Sequence, residues 1–293
     1  MNFRTDLALE RAETVSGKTA GIKKYERSTP VTKTTVIEIT DSRGEQALDK
    51  PIGKYITVEM NPFTSESDVF DERLDELVKC IRELLPSGNG LVLTAGVGNS
   101  DITSDALGPF FASQIFSTRH INDELKKNIG FSKDLRAVAS VSTGVLGQTG
   151  IESGEYIKSI SDSIKPECII TVDALAAKNV SRLGCTVQLS NTGISPGSGI
   201  GNKRQKINEE YIGVPVIAIG VPTVVSAVTL AGDILGEENE EILENALNKK
   251  GADMIVTPKD IDLLVKNAAY LLALSVNCAL QPTLTAETVA TLM

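Results

Sequence analysis

From residue 91 to residue 279, short apolar runs and amphipathic stretches take turns along the chain, and this alternation constrains the fold more than any other feature. Leu91–Thr94, Leu135–Val141, Pro166–Val172, Thr186–Ser190, Val214–Gly220 and Asp253–Thr257 read as strands. Helical patterns fall between them at Phe110–Phe116, Ser153–Ile164, a stretch opening at Val221-Pro222, and Thr257 to Ala279. Strands alternating with helices predict an α/β fold, a three-layer, doubly wound twisted sheet with helices on both faces. Ahead of this region Thr34–Thr40 and Lys54–Met60 alternate as two strands able to pair, a β-rich extension to about residue 65, and Asp68–Leu85 forms an amphipathic helix.

Composition removes whole classes of function. A net charge of -9 argues against electrostatic attraction to nucleic acid or an anionic membrane, both of which need a clustered basic surface. There is no uninterrupted apolar run of membrane-spanning length, and Met1–Asp6 has no signal-peptide character, so a cytoplasmic protein is expected. Cys80, Cys168, Cys185 and Cys278 lie far apart with no Cys-x-x-Cys spacing and read as buried thiols. The single histidine, His120, supplies no second imidazole for a histidine metal pair, and no Gly-x-Ser-x-Gly elbow accompanies it. The acidic stretch Glu237–Asn248 reads as a solvated helical face.

Chemistry concentrates in the loop expected after the Leu91–Thr94 strand, Gly96 to Ser104, because ligands of open α/β sheets bind at the carboxyl ends of strands. Gly96 and Gly98 permit a tight turn, while Asp101 and Asp105 put two carboxylates close together. A dinucleotide fingerprint would need a glycine or alanine where Asp101 stands, and no Lys-Ser/Thr pair follows, so a carboxylate-based site is favoured over a phosphate cradle or a purely structural turn. Asp105 falls near the first turn of the next helix, whose dipole would favour its ionised form and make it a base. Asp173 ends another apolar run, and if the two strands are near neighbours the two aspartates can face each other. The glycine-rich run Asn191–Asn202 reads as a second loop at the site.

The runs Phe3–Ala8, Gly96–Asn99 with Thr103–Pro109, Val172–Ala177, Asn191–Asn202 and Met254–Lys259, taken in order over nearly the whole chain, resemble the germination protease of spore-forming bacteria. The resemblance implies a fold like that of the hydrogenase-maturation proteases, and a homotetramer made as a zymogen. It also implies an endopeptidase that degrades small acid-soluble spore proteins in the spore core when germination begins. By motif the catalytic pair falls on Asp105 and Asp173, with no metal and no cofactor required, since one of two close carboxylates keeps a proton while the other activates water. Gly96, Gly98, Asn99, Gly144, Gly197 and Gly199 are the expected substrate-loop residues. Residues 1–6 would be a short propeptide cut at Asp6-Leu7, with Arg4 neutralising a site carboxylate, and residues 7–293 a single peptidase domain.

Two alternatives remain open from the residues alone. A hydrogenase-maturation-type protease would gather Asp105, Asp173 and His120 around a nickel ion delivered with its substrate. A binding module would use only the glycine loops.

Overall fold

The computed structural model describes residues 5–13, 19–65, 69–121, 135–197, 204–235 and 254–293. The strands are β1 (Ile22–Ser28), β2 (Thr32–Ile39), β3 (Gly53–Met60), β4 (Val92–Val97), β5 (Val138–Gly144), β6 (Cys168–Ala177), β7 (Thr186–Ser190), β8 (Val216–Ser226) and β9 (Ile255–Val256). The helices are α1 (Ala8–Glu13), α2 (Ser42–Leu48), α3 (Glu72–Leu84), α4 (Leu107–Ser113), α5 (Leu146–Thr149), α6 (Ser153–Ile164), α7 (Glu209–Ile212), α8 (Ala227–Leu235), α9 (Ile261–Leu280) and α10 (Ala286–Leu292). One sheet runs β1-β2-β3-β7-β8-β6-β4-β5, with β9 beside β8.

The sheet has two halves that meet between β7 and β8. Strands β8, β6, β4 and β5 run parallel, as crossover helices dictate, while β1, β2, β3 and β7 are antiparallel. The N-terminal extension is therefore continuous with the main sheet through β3 and β7. The parallel strands read as unbroken apolar runs because both faces are covered. On one face Val92, Ile170, Val172 and Ile219 pack with Leu77, Ile81, Phe111, Leu272 and Val276 of α3, α4 and α9. On the other, Leu93, Ala95 and Ile169 pack with Ile157 of α6 and Ile212 of α7, and α1 and α2 cover Ile37, Ile39 and Tyr55. This is the three-layer α/β architecture that the alternation predicts.

The cover of α9 bears on the membrane question. At 20 residues, with a mean hydropathy of 1.5 over an 18-residue window, it passes a length-and-composition test for a span that the apolar-run count misses. It is 78% buried within the fold, however, as the central helix of one layer.

Several boundaries differ from the sequence reading. The segment opening at Val221-Pro222 is strand rather than helix, because β8 continues to Ser226 through β-branched residues. Proline is tolerated there by a bulge: Leu175 pairs with Pro222 and Ala176 with Val224, leaving Thr223 as the extra residue. Strand β6 likewise runs past Asp173 to Ala177, held by β8 after β4 has ended its pairing at Val172. Edge strand β1 and helices α1 and α2 are short and polar, and carry no periodic apolar signal. Of Glu237–Asn248 and Asp253, all lie outside the described residues.

The N-terminus is tied to β6 through Glu10, which is 3% exposed. Its carboxylate accepts from Lys178 N–H at 2.7 Å, Asn179 N–H at 2.8 Å and the Thr5 hydroxyl, and pairs with Arg182 at 3.4 Å. Glu10→Ala should cost about 3–5 kcal/mol, the penalty for removing one partner of a buried, hydrogen-bonded ion pair, and urea unfolding would measure it. A loss under about 1 kcal/mol would mean that the anchor is replaceable by water.

Candidate active site

Strand β4 runs three residues further than the Leu91–Thr94 run, so Gly96 and Val97 belong to the sheet and the loop begins at Gly98. Gly96 is needed for packing: a Cβ there would collide with the Gly108 carbonyl of α4, and one on Gly108 with backbone atoms of Val97 and Val172. This glycine-to-glycine contact drives the start of α4 against β4 and β6. Gly98 turns the chain with φ of 128°, open to glycine alone, and a Cβ there would strike the Asp105 carbonyl.

Asp105 ends the 3-10 turn Thr103–Asp105, ahead of α4 rather than in its first turn. Its Oδ2 accepts the Asn99 N–H at 2.8 Å, so the loop folds back on the carboxylate that it presents. The dipole argument alone would hold this group ionised, but burial outweighs it and pushes the Asp105 carboxyl above its ordinary range, with the Asn99 bond opposing. Asp101, the loop's other carboxylate, points away: it is exposed and accepts from Gln148 Nε2 at 3.0 Å. The bulge residue Thr223, fully buried, donates its hydroxyl to the Ser104 carbonyl at 2.7 Å and pins the turn to β8.

Asp173 lies within β6 and is 4% exposed. Its Oδ1 accepts the Ala174 N–H at 2.9 Å. Burial first, then the negative charges of Asp105 and Asp6, hold its carboxyl well above the usual range. Asp105 and Asp173 both line one cavity of about 430 Å3, with Gly98, Asn99, Leu146, Gly197, Thr223 and the ion-paired Glu152 and Arg204. Of the expected loop residues, Gly98, Asn99 and Gly197 reach this cavity, Gly96 and Gly144 do not, and Gly199 lies outside the described residues.

His120 is placed elsewhere. It is exposed, and its neighbour Arg119 bonds the carbonyl of Val138, at the opposite end of β5 from Gly144. The three groups that a nickel site would need do not converge. Among the described residues no group of three His, Cys, Asp or Glu side chains is arranged to hold a metal ion.

Asp6 and Leu7 are brought to the site. Asp6 lines the same cavity, and Leu7 is fully buried against Leu175 and Ala177. Arg4 lies outside the described residues. Sequence reasoning missed Thr223, Lys50 and Gln188 as neighbours of the site, since each stands in an ordinary strand or loop context; only the break in apolar pattern at Thr223 was available as a signal.

The raised Asp173 carboxyl has a consequence for stability. Its folded value lies above its unfolded value, so between the two the folded chain binds more protons, and stability falls as pH rises through that window. Asp173→Asn removes the charge and should raise the melting temperature at pH 8, by about 2–4 °C for each kcal/mol gained. The gain should vanish below about pH 4, where the aspartate is protonated in both states. Calorimetry showing no pH dependence in the difference would contradict a protonated Asp173.

Comparison with known proteins identifies the family. A solved NiFe hydrogenase maturation protease from Thermococcus kodakarensis KOD1 overlays 69% of this chain and 98% of its own, at a TM-score of 0.38 and 16% identity, which is too low to bear on the fold. The germination protease of Caldanaerobacter subterraneus subsp. tengcongensis is 42% identical over 97% of this chain and 96% of its own. That of Clostridium tetani is 38% identical over 98% of each. With residues 4–236 also matching the family model described as germination protease, the chain belongs to the germination protease family and is a peptidase.

Proposed function

We propose that this chain is the endopeptidase that opens the degradation of small acid-soluble spore proteins at germination, acting in the spore core with Asp105 and Asp173 as its catalytic pair. The observation that carries the reading is that two aspartates, one within β6 and one in the turn that follows the neighbouring β4, line a single cavity, with the charge of one acting on the other. Asp173, the more deeply buried and facing the Asp105 charge, is the one that holds its proton more tightly. Asp105, which accepts the Asn99 N–H, is the one that ionises. Asp105 then takes a proton from water as it attacks the peptide carbonyl, and Asp173 gives its proton to the departing amine. Neither step needs an imidazole or a thiolate. Incubation of the purified protein with a purified small acid-soluble spore protein, followed by N-terminal sequencing of the fragments, tests the assignment. Intact substrate would refute it.

The zymogen reading places self-cleavage at Asp6-Leu7. Burial of Leu7 means that this bond has to leave its seat before it can enter the dyad, so processing follows detachment of the segment. Protonating the site carboxylates loosens the charge-assisted bonds that they make. Mild acidification should therefore speed release, and Edman degradation should then read Leu7 as the new first residue. A start at any other residue would remove this site.

A further inference from the structure

The N-terminal segment is gripped through its main chain beside the dyad. The Asp6 N–H donates to the Ala176 carbonyl at 3.0 Å, and the Asp6 carboxylate accepts the Ala176 N–H at 2.9 Å. The Asp6 carbonyl accepts from Lys50 Nζ at 2.9 Å and from Gln188 Nε2 at 3.1 Å, while the oxygen of the same Gln188 amide takes the Ala8 N–H at 2.5 Å. One glutamine thus bonds the carbonyl of one residue and the amide two residues on, a contact that reads backbone and is indifferent to side chain. Between these two points Leu7 is fully buried in an apolar hole formed by Leu175, Ala177, Leu183 and Ile194.

This grip is contiguous with the catalytic residues. Asp173 of β6, Gly220 of β8 and Gln188 of β7 are register neighbours in one row across the sheet, so they share a face. Gly220, lacking a side chain, makes room between Asp173 and Gln188 for the Leu175 side chain, one wall of the hole that Leu7 fills. Asp6 and Leu175 line both the dyad cavity and a neighbouring cavity of about 340 Å3 that contains Lys50 and Gln188.

We propose that the groove of Ala176, Gln188 and Lys50 is the seat of the substrate peptide, which it holds in extended form by its main chain with one apolar side chain in the hole filled by Leu7, and that Thr5–Ala8 is an internal occupant of that seat. The proposal rests on the peptidase reading above, and it adds the residues that hold the substrate. Gln188 and Lys50 are positioning residues: they fix a peptide carbonyl one strand away from Asp173 and take no part in proton transfer. An internal occupant lowers the apparent affinity for an external peptide by the fraction of chains in which the seat is open.

The test uses the full chain carrying Asp105→Asn, so that binding is read without cleavage. The probe is a fluorescein-labelled octapeptide with the sequence of residues 2–9, followed by anisotropy. Adding Leu7→Asp, which expels the occupant, should tighten probe binding by about tenfold or more. A probe with aspartate in place of the leucine that corresponds to Leu7 should bind about tenfold more weakly, and Gln188→Leu should weaken binding to the opened seat. Affinity unchanged within about threefold on opening the seat would overturn the proposal. If the Leu7→Asp chain does not fold, hydrogen exchange on the Asp105→Asn chain decides: saturating probe should deprotect the Leu7 and Ala8 amides, and unaltered protection, or no binding at millimolar probe, would overturn it. Cleavage that survives in Asp105→Asn would remove the dyad and leave the binding result standing, so the two failures are distinguishable.

Discussion

Asp105→Asn should lower kcat/KM for a peptide substrate by on the order of 10^2 to 10^4, the usual worth of a positioned general base, with the fold intact. The asparagine keeps an oxygen for the Asn99 N–H, so the 3-10 turn and the approach of α4 need not change, and circular dichroism and melting should stay close to the parent. Asp173→Asn should cost a similar factor by a different route. It retains an acceptor for Ala174 N–H but cannot deliver a proton to the departing amine. The double variant should be little worse than either single one, because the two groups act as a unit. The parent should show a bell-shaped pH profile. Its acid limb follows ionisation of Asp105, displaced upward by burial, and its alkaline limb follows loss of the Asp173 proton, held on by burial and by the Asp105 charge. Stopped assays on either single variant that retained more than about a tenth of parental kcat/KM would end the dyad assignment.

Gly108→Ala should be among the most damaging single methyl additions at the described glycines. The added Cβ would meet backbone atoms of Val97 and Val172, and neither strand can give way while both are paired inside the sheet. Overpacking of this kind costs about 1–3 kcal/mol where side chains can adjust, and the loss here should lie at or above the top of that range. Gly147→Ala is the control, because a Cβ on this helical residue meets nothing. Activity should fall with stability in the first variant, since the residue that would be pushed away begins the helix directly after Asp105. Equal melting temperatures for the two variants would show that the close approach of α4 is not required.

Much of this was legible in the chain. The parallel core strands announce themselves as apolar runs, α6 is bounded where its apolar spacing starts and stops, and the two motifs that carry Asp105 and Asp173 end neighbouring strands. What was not legible has physical reasons. The charge state of Asp105 depends on burial by elements distant in sequence, which a local dipole argument ignores. The strand through Val221-Pro222 depends on a bulge that only its partner β6 reveals. Gln188 sits in a five-residue strand whose pattern says nothing of a peptide lying across it.

The tie between Asp6 and Ala176 spans 170 residues, and this sets an order of events at the ribosome. The segment around Asp6 emerges first and meets Lys50 early, but its two bonds to Ala176 wait until β6 has been made. At about 5–20 residues per second that wait lasts roughly 10–30 s. Strand β6 brings Asp173 and Ala176 together, three residues apart, so the strand that carries one half of the catalytic pair also carries the anchor for the segment that lies over it. A newly synthesised molecule therefore passes through no stage in which Asp173 stands in its finished strand before the means of covering it exists. On the proposed reading, cover for Asp173 is set by the order of synthesis, ahead of any later control.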